Sequence, residues 1–314
     1  MSNAKFSLAT VFSLLVGIGF QRAGAAAPSC PGDFAVQVLG SGGPVPEGHR
    51  ASSGYLIWIK GHSRVLVDAG GGTFLRFGEA SAKIEDLSLV AITHFHADHV
   101  ADLPALIKAG YFSDRTRSLP ISGPSGSDEF PSLTAFLHAE FSSPQGAFAY
   151  LSGALDGTGG EFKLDPVEVA LPRAVPMVVL ETSDLTVLAA PVSHGPVPAL
   201  GYLIRTSAGT IAFSGDQNGN NPVFWEMIQG ADILVMHLAI SEHPDPVAAK
   251  LHALPSVIGK QAAGARVKQL VLSHLMARSL ATLPENLKTI RQYYKGHVSV
   301  THDLECFSPQ PVAQ

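Results

Sequence analysis

Basic charge is scarce in this chain. Lys and Arg number 21 against 26 Asp and Glu in 314 residues, a formal charge of −5. A large nucleic-acid footprint needs a Lys/Arg surface to meet the phosphates, so that partner is disfavoured. A small charged ligand is not excluded, because it feels only its pocket. Cysteine is almost missing too, with Cys30 and Cys306 the whole supply. Both stand near the ends of the mature chain. In an oxidising compartment they can pair and tie the termini together, and two buried thiols are the alternative. After residue 27 no apolar run is long enough to cross a bilayer. Before it, Lys5 gives a weak positive start, Phe6 to Phe20 an uncharged apolar stretch, and Ala23-Gly24-Ala25 small residues at cleavage spacing. Residues 1–27 therefore read as an export signal, removed from a mature domain of residues 28–314 that is periplasmic or secreted. Removal takes Lys5 and Arg22 with it, so the mature charge falls to −7. No short internal repeat is present.

Histidine, by contrast, is plentiful at 13 residues, and it is concentrated. The apolar run Leu87 to Ile92 reads as a buried strand stopped by a polar cluster, Thr93-His94-Phe95-His96-Ala97-Asp98-His99. Four metal-capable side chains thus fall within six residues at a strand end, where a loop aims them and a sheet holds them. His94 and His96 can turn toward one centre, with Asp98 and His99 carried by the bend toward another. Imidazole with carboxylate suits a borderline divalent ion such as Zn²⁺.

The remaining chain repeats the pattern. Phe34 to Leu39 alternates like a strand, and the glycine-rich Gly40 to Pro46 follows. No helix follows that loop and no Lys closes it, which favours a close-packed turn over a phosphate cradle. Tyr55 to Ile59 and Arg64 to Val67 predict a hairpin ending in Asp68-Ala69-Gly70-Gly71-Gly72-Thr73. Asp68 either buttresses metal-bound histidines or caps the helix beginning near Thr73. Next come a helix over Asp102 to Ala109, a strand over Leu119 to Ser122, a turn over Gly123 to Gly126 and a helix over Ser127 to Ala139. Glu140 to Leu164 lacks periodicity and reads as a long loop, in which Phe141, Phe148 and Tyr150 can line a pocket. Five strands then fall between Val167 and Ser214, and a sixth over Val267 to Leu272. His194, Asp216 and His274 each stand just past an apolar strand. Helices fill Asn220 to Gln229, Pro255 to Ala265 and Pro284 to Tyr294. The pattern predicts two sheets face to face with helices outside.

These segments resemble the metallo-β-lactamase superfamily, most of all its ribonuclease Z type and the arylsulfatases built on that template. The carriers are Leu39 to Gly42, Leu66 to Gly70, Thr93 to His99 with Asp102-Leu103-Pro104, Ser193-His194, Ser214-Gly215-Asp216 and Leu272-Ser273-His274. The resemblance implies an α/β fold, the αββα four-layer sandwich, with two metal ions at one edge. By it, His94, His96 and His194 hold one ion, Asp98, His99 and His274 the other, and Asp216 bridges them. Two Zn²⁺ are expected, Mn²⁺ or Fe²⁺ being the alternatives. Asp68, Asp98 and His252 are the candidate catalytic residues. Two such ions hold a hydroxide at neutral pH and clamp attacking and leaving oxygens, which equips hydrolysis of a small phosphodiester or sulfate ester. A lactonase or β-lactamase-like ester or amide hydrolase is the alternative. His252 matches a histidine that in the ribonuclease Z type is paired with a glutamate, but here Leu238 occupies the glutamate's place. That departure alters the proton relay, and with the export signal it turns the expectation away from tRNA. Members of this family often dimerise, which leaves a homodimer open. A binding protein without turnover and a diiron oxidoreductase are the other classes. The intact ligand set speaks against the first, and His96, where diiron relatives carry glutamate, against the second.

Overall fold

A computed structural model describes residues 30–160 and 162–309, so the expected export signal lies outside the described residues. Apolar side chains alternate along the early strands, and each alternate set is buried on its own side. In β1 (Phe34–Gly40), Val36 and Val38 join one core cluster while Ala35 and Leu39 join another. A period of two places successive residues on opposite faces, so a strand buried on both faces belongs inside a stack of layers.

The first sheet runs β14-β1-β2-β3-β4-β5-β6. Besides β1 it contains β2 (Gly54–Ile59), β3 (His62–Val67), β4 (Leu89–Ala91), β5 (Leu119–Pro124), β6 (Leu164–Val169) and β14 (Cys306–Phe307). The second runs β13-β12-β11-β10-β9-β8-β7. Its members are β7 (Met177–Glu181), β8 (Thr186–His194), β9 (Val197–Thr206), β10 (Gly209–Phe213), β11 (Ile233–His237), β12 (Gln269–Ser273) and β13 (His297–Val300). One core cluster joins the sheets, with Tyr55, Ile57 and Val67 of the first beside Leu200, Phe213 and Val235 of the second. The outer faces carry separate clusters under helices. Leu66 and Val90 meet Leu103 and Leu106 on one side, and Leu234 and Leu270 meet Ile258 and Ile290 on the other. The layers are helix, sheet, sheet, helix, the αββα arrangement expected.

Strand direction brings the candidate residues together. β9 is antiparallel to both β8 and β10, and β10, β11 and β12 are mutually parallel. The four strands β8, β10, β11 and β12 therefore end on one edge. β3 and β4 are also parallel, and Thr93, just past β4, accepts at its carbonyl from Leu200 N in the second sheet. The ends of β3 and β4 are thereby tied to the edge that carries His194 and Asp216.

Three local expectations are corrected. Gly123 and Pro124 belong to β5 rather than to a turn, because β6 supplies register partners through Val169. The helix expected from Ser127 starts only at Leu133, after Pro131, with the Ser132 hydroxyl accepting from Ala135 N as its cap. That helix runs on to Phe141, and the stretch from 140 to 164 is not one long loop. A 3₁₀ turn (Ala149–Leu151) and a helix (Gly153–Asp156) bury Leu151 and Ala154 with Phe141 in the core. Phe141 is wholly buried in that core, whereas Phe148 and Tyr150 border a surface groove beside Lys108 and Phe112. Cys30 and Cys306 form a disulfide with Cα atoms 5.5 Å apart. Among the described residues no helix is long and apolar enough to cross a membrane.

Candidate metal centre

Ile92 and Thr93 continue from β4 into the donor-rich loop, and Thr93 anchors it. Its backbone N–H donates to Asp68 Oδ1 at 2.8 Å, and its hydroxyl donates to Asp68 Oδ2 at 2.9 Å. The same hydroxyl lies 3.1 Å from His94 Nδ1. With its proton given to Asp68 it accepts there, which leaves His94 Nε2 to face the site as a lone pair. Asp68 also accepts from His99 Nδ1 at 2.7 Å. His99 Nε2 is thereby pointed inward, where it is buried without a hydrogen-bond partner. Asp68 does not cap the helix Thr73–Glu79, whose N-cap is Gly72. It sits at φ 59° just past β3, a conformation costly for a residue with a Cβ and concentrated at functional sites.

His96 is the N-cap of the short helix Ala97–Val100, and Asp98 and His99 lie within that helix. His194 ends β8, and its Nδ1–H donates to Leu251 O at 2.8 Å, so its Nε2 also faces inward. Asp216 follows β10 through Gly215, whose φ is 55° and where an added Cβ would stand 2.5 Å from Leu200 O. Only glycine fits that bend. His274 follows β12 at φ 53°. Gly43 packs flat on its ring, since an added Cβ would fall 2.7 Å from Cε1. The glycine-rich loop is thus a close-approach turn, and what it approaches is His274.

The structure brings the expected residues together. His94, His96, His194 and Asp216 form one group, Asp98, His99 and His274 a second, and Asp216, His237 and His274 a third, each with one donor atom per residue within 4.8 Å of the others. Asp216 Oδ2 stands 3.6 Å from His194 Nε2, 3.8 Å from His99 Nε2 and 3.9 Å from His94 Nε2. Its Oδ1 lies 3.4 Å from His274 Nε2, and Asp98 Oδ2 lies 3.2 Å from the same nitrogen. Most of these separations are long for hydrogen bonds. They suit donors around shared cations, since ligands at about 2.0–2.1 Å in a tetrahedral shell stand roughly 3.4 Å apart. The unpartnered His99 Nε2 fits the same use. This His/Asp cluster is capable of holding metal ions.

Its electrostatics point the same way. Burial alone would raise Asp98, but the hydrogen bond from His274 and the charge on His99 bring it down to about 2. Asp216 is held well below the carboxylate range despite burial, by His274, His252 and His237. Burial works against a charge on His99, yet the carboxylates of Asp68, Asp216 and Asp98 lift it to about 9. Burial and neighbouring imidazoles push His94 and His96 down, leaving lone pairs rather than protons. Carboxylates that draw a proton onto the buried His99, beside His94 and His96 emptied of theirs, mark a dry cluster that calls for cations.

His252 lies at the rim, buried, as C-cap of the helix Pro246–Leu251. Its Nδ1 stands 3.9 Å from Asp216 Oδ2 and has no hydrogen-bond partner. Burial pushes it down to about 3. Leu238, in the place of the expected glutamate, is wholly buried. One participant escaped the sequence reading. His237, the last residue of β11, donates from Nδ1 to Asp216 Oδ1 across 2.6 Å, and its Nε2 lies 3.1 Å from the Tyr55 hydroxyl. With both ring nitrogens engaged, it positions Asp216. Its setting inside an apolar strand gave no signal beyond the bare histidine.

A family model described as the beta-lactamase superfamily domain matches residues 63–275. Ribonuclease Z of Mycobacterium sp. (strain KMS) is 32% identical over 184 residues, 58% of this chain and 60% of that protein's length. The chain therefore matches less than two thirds of that relative. Ribonuclease Z of Methanosarcina mazei is 26% identical over 292 residues, covering 85% of this chain and 95% of its own. Among solved structures, human tRNase Z, short form, superposes with a TM-score of 0.67 at 21% identity, over 88% of this chain and 99% of its own, a likeness of fold. The names of these relatives stand against the expectation that nucleic acid is an unlikely partner. With the layers, the strand-end cluster and the matched family model in agreement, the chain belongs to the metallo-β-lactamase superfamily.

Proposed function

We propose that the protein is an exported phosphodiesterase acting on a small substrate, with a sulfate ester as the neighbouring chemistry. The observation that carries this reading is the convergence of seven donors, His94, His96, Asp98, His99, His194, Asp216 and His274, on one sheet edge. His94, His96 and His194 would hold one divalent ion, Asp98, His99 and His274 a second, and Asp216 both. Zinc suits the imidazole-rich set best. When bound, such ions supply Lewis acidity and a nucleophile from water at neutral pH.

The chain's own residues do the positioning. Asp68 and Thr93 fix the tautomers of His99 and His94, Leu251 O fixes that of His194, and His237 holds Asp216. His252 offers Nδ1 to the leaving-group oxygen. Leu238 cannot orient or recharge it, so help to a poor leaving group is weak. That favours substrates whose alcohol departs easily, and it supports a lactonase or β-lactamase-like activity as the second reading. The Cys30–Cys306 disulfide supports export, since such bonds persist in oxidising compartments.

Elemental analysis combined with hydrolysis of bis-p-nitrophenyl phosphate, p-nitrophenyl sulfate, a lactone, nitrocefin and a precursor tRNA tests the reading. About two zinc ions per chain and chelator-sensitive phosphodiester cleavage are expected. Activity on lactone or nitrocefin alone would move the substrate class to the second reading. Cleavage of the tRNA alone would restore nucleic acid as the substrate. Fewer than about one ion per chain after growth in ample zinc would overturn the ligand assignment. N-terminal mass spectrometry of the periplasmic fraction tests export, a mature start near Pro28 being the expected result.

A further inference from the structure

Beside the cluster, on the outer side of His96, is a pocket of about 160 Å³. Phe95 and Phe136 lie against it as a stacked pair, ring centroids 4.7 Å apart and planes within 10°. Phe130, Pro131, Val197 and Pro198 complete the apolar lining, and the half-buried His96, one of the clustered donors, lines it too. Among the described residues no other titratable side chain lines it. An apolar recess lined by one member of the donor cluster, His96, is poorly explained by folding alone, because Phe95, Phe136 and Phe130 all stay partly exposed there.

We propose that this pocket receives one ring-sized apolar substituent of the substrate ester, while the ester's oxygens lie at the cluster. The inference rests on the proposed hydrolytic role of that cluster and narrows its substrate class. Volume decides the size. A cavity of about 150 Å³ accepts benzene, so about 160 Å³ holds one ring and not two. Chemistry decides the class, because parallel phenyl faces and prolines offer stacking and dispersion but no hydrogen bonds. A nucleobase would leave its polar edge unpartnered there, at a cost that favours a simple aryl or branched alkyl group.

The test compares phenylphosphonate, methylphosphonate and 1-naphthylphosphonate by calorimetry on the zinc-loaded protein, with line broadening of fluorobenzene in ¹⁹F NMR as a metal-independent readout. Phenyl should bind tighter than methyl by on the order of tenfold to a hundredfold, the worth of burying one ring, and naphthyl should not exceed phenyl. Phe136→Ala should collapse the phenyl-to-methyl ratio toward one. Val197→Phe, which fills the recess without opening the core, should do the same and abolish the broadening. Equal binding of phenyl and methyl, naphthyl binding tightest, or broadening that survives Val197→Phe would each overturn the proposal. The two readings fail separately. A phenyl preference without phosphodiester turnover removes the proposed function and keeps the pocket, and turnover without the preference does the reverse.

Discussion

Replacing Asp68 by Asn keeps the volume but puts an amide where His99 Nδ1 and Thr93 now donate. The His99 ring then loses the partner that points Nε2 inward. Partners that orient metal-bound histidines typically account for 10–100-fold in metal affinity, so zinc affinity of Asp68→Asn, followed by chelator competition, should fall by about that factor. An unchanged affinity would mean that Asp68 is only structural. Gly43→Ala tests the opposite flank. Its methyl would press on the His274 ring at 2.7 Å, and a displacement of about 1 Å can cost on the order of 10²-fold in rate. Phosphodiester turnover should drop by tenfold or more while the thermal midpoint barely moves. The donors themselves were legible because each follows an apolar run that ends abruptly in a polar residue. Asp68 was legible as a strand-end carboxylate, though only the geometry separated buttress from cap. His237 and Tyr55 were not, because their importance lies in distances across separate strands, from His237 to Asp216 and from the Tyr55 hydroxyl to His237 and, at 2.9 Å, to Ser273 Oγ.

Elements were readable where they were long and periodic, as with the helix Leu283–Tyr293, and unreadable where a few residues suffice. β14 has two residues and pairs with β1 only at Val36↔Phe307 and Gln37↔Cys306. So short a strand gives no pattern, and the disulfide pins it together with hydrogen bonds from Val38 N to Glu305 O and from Leu304 N to Val38 O. Replacing Cys30 and Cys306 together by Ser should lower unfolding free energy by about 2–4 kcal/mol in urea titrations, with β14 the first segment to exchange its amides. Asp232, just before β11, is a second tie. It accepts from Thr210 N and Oγ1 and from Lys268 Nζ, at 2.7, 3.0 and 2.7 Å. Burial alone would raise its pKa, but these partners lower it. A depressed carboxylate contributes stability in full above its unfolded pKa, about 3.9, and loses it as pH falls through the folded value. The stability gap between wild type and Asp232→Asn should therefore be flat above about pH 5 and close as pH falls below 4.

At the scale of the molecule, the two sheets converge at an edge crowded with carboxylates and imidazoles, which divalent ions would relieve. Removing metal with a chelator should lower the thermal midpoint by several degrees, since a ligand bound only to the folded state stabilises it by mass action, and added zinc should restore it. A midpoint indifferent to chelator would count against metal at this edge. The αββα layering was legible from the alternation of strands with helices in each half. The packing of residues 140–164 was not, because short turns there bury single side chains without any period. The β8–β9 hairpin sets His194 directly opposite Val197 and Ser193 opposite Pro198. Phe95, Val197 and Pro198 of the apolar recess are therefore tethered to candidate metal donors, while Phe130, Pro131 and Phe136 come from a segment that supplies none. The site works as a vice with one jaw fixed and one adjustable: rewriting residues 130–136 would change which molecules it grips and leave the metal donors where they are.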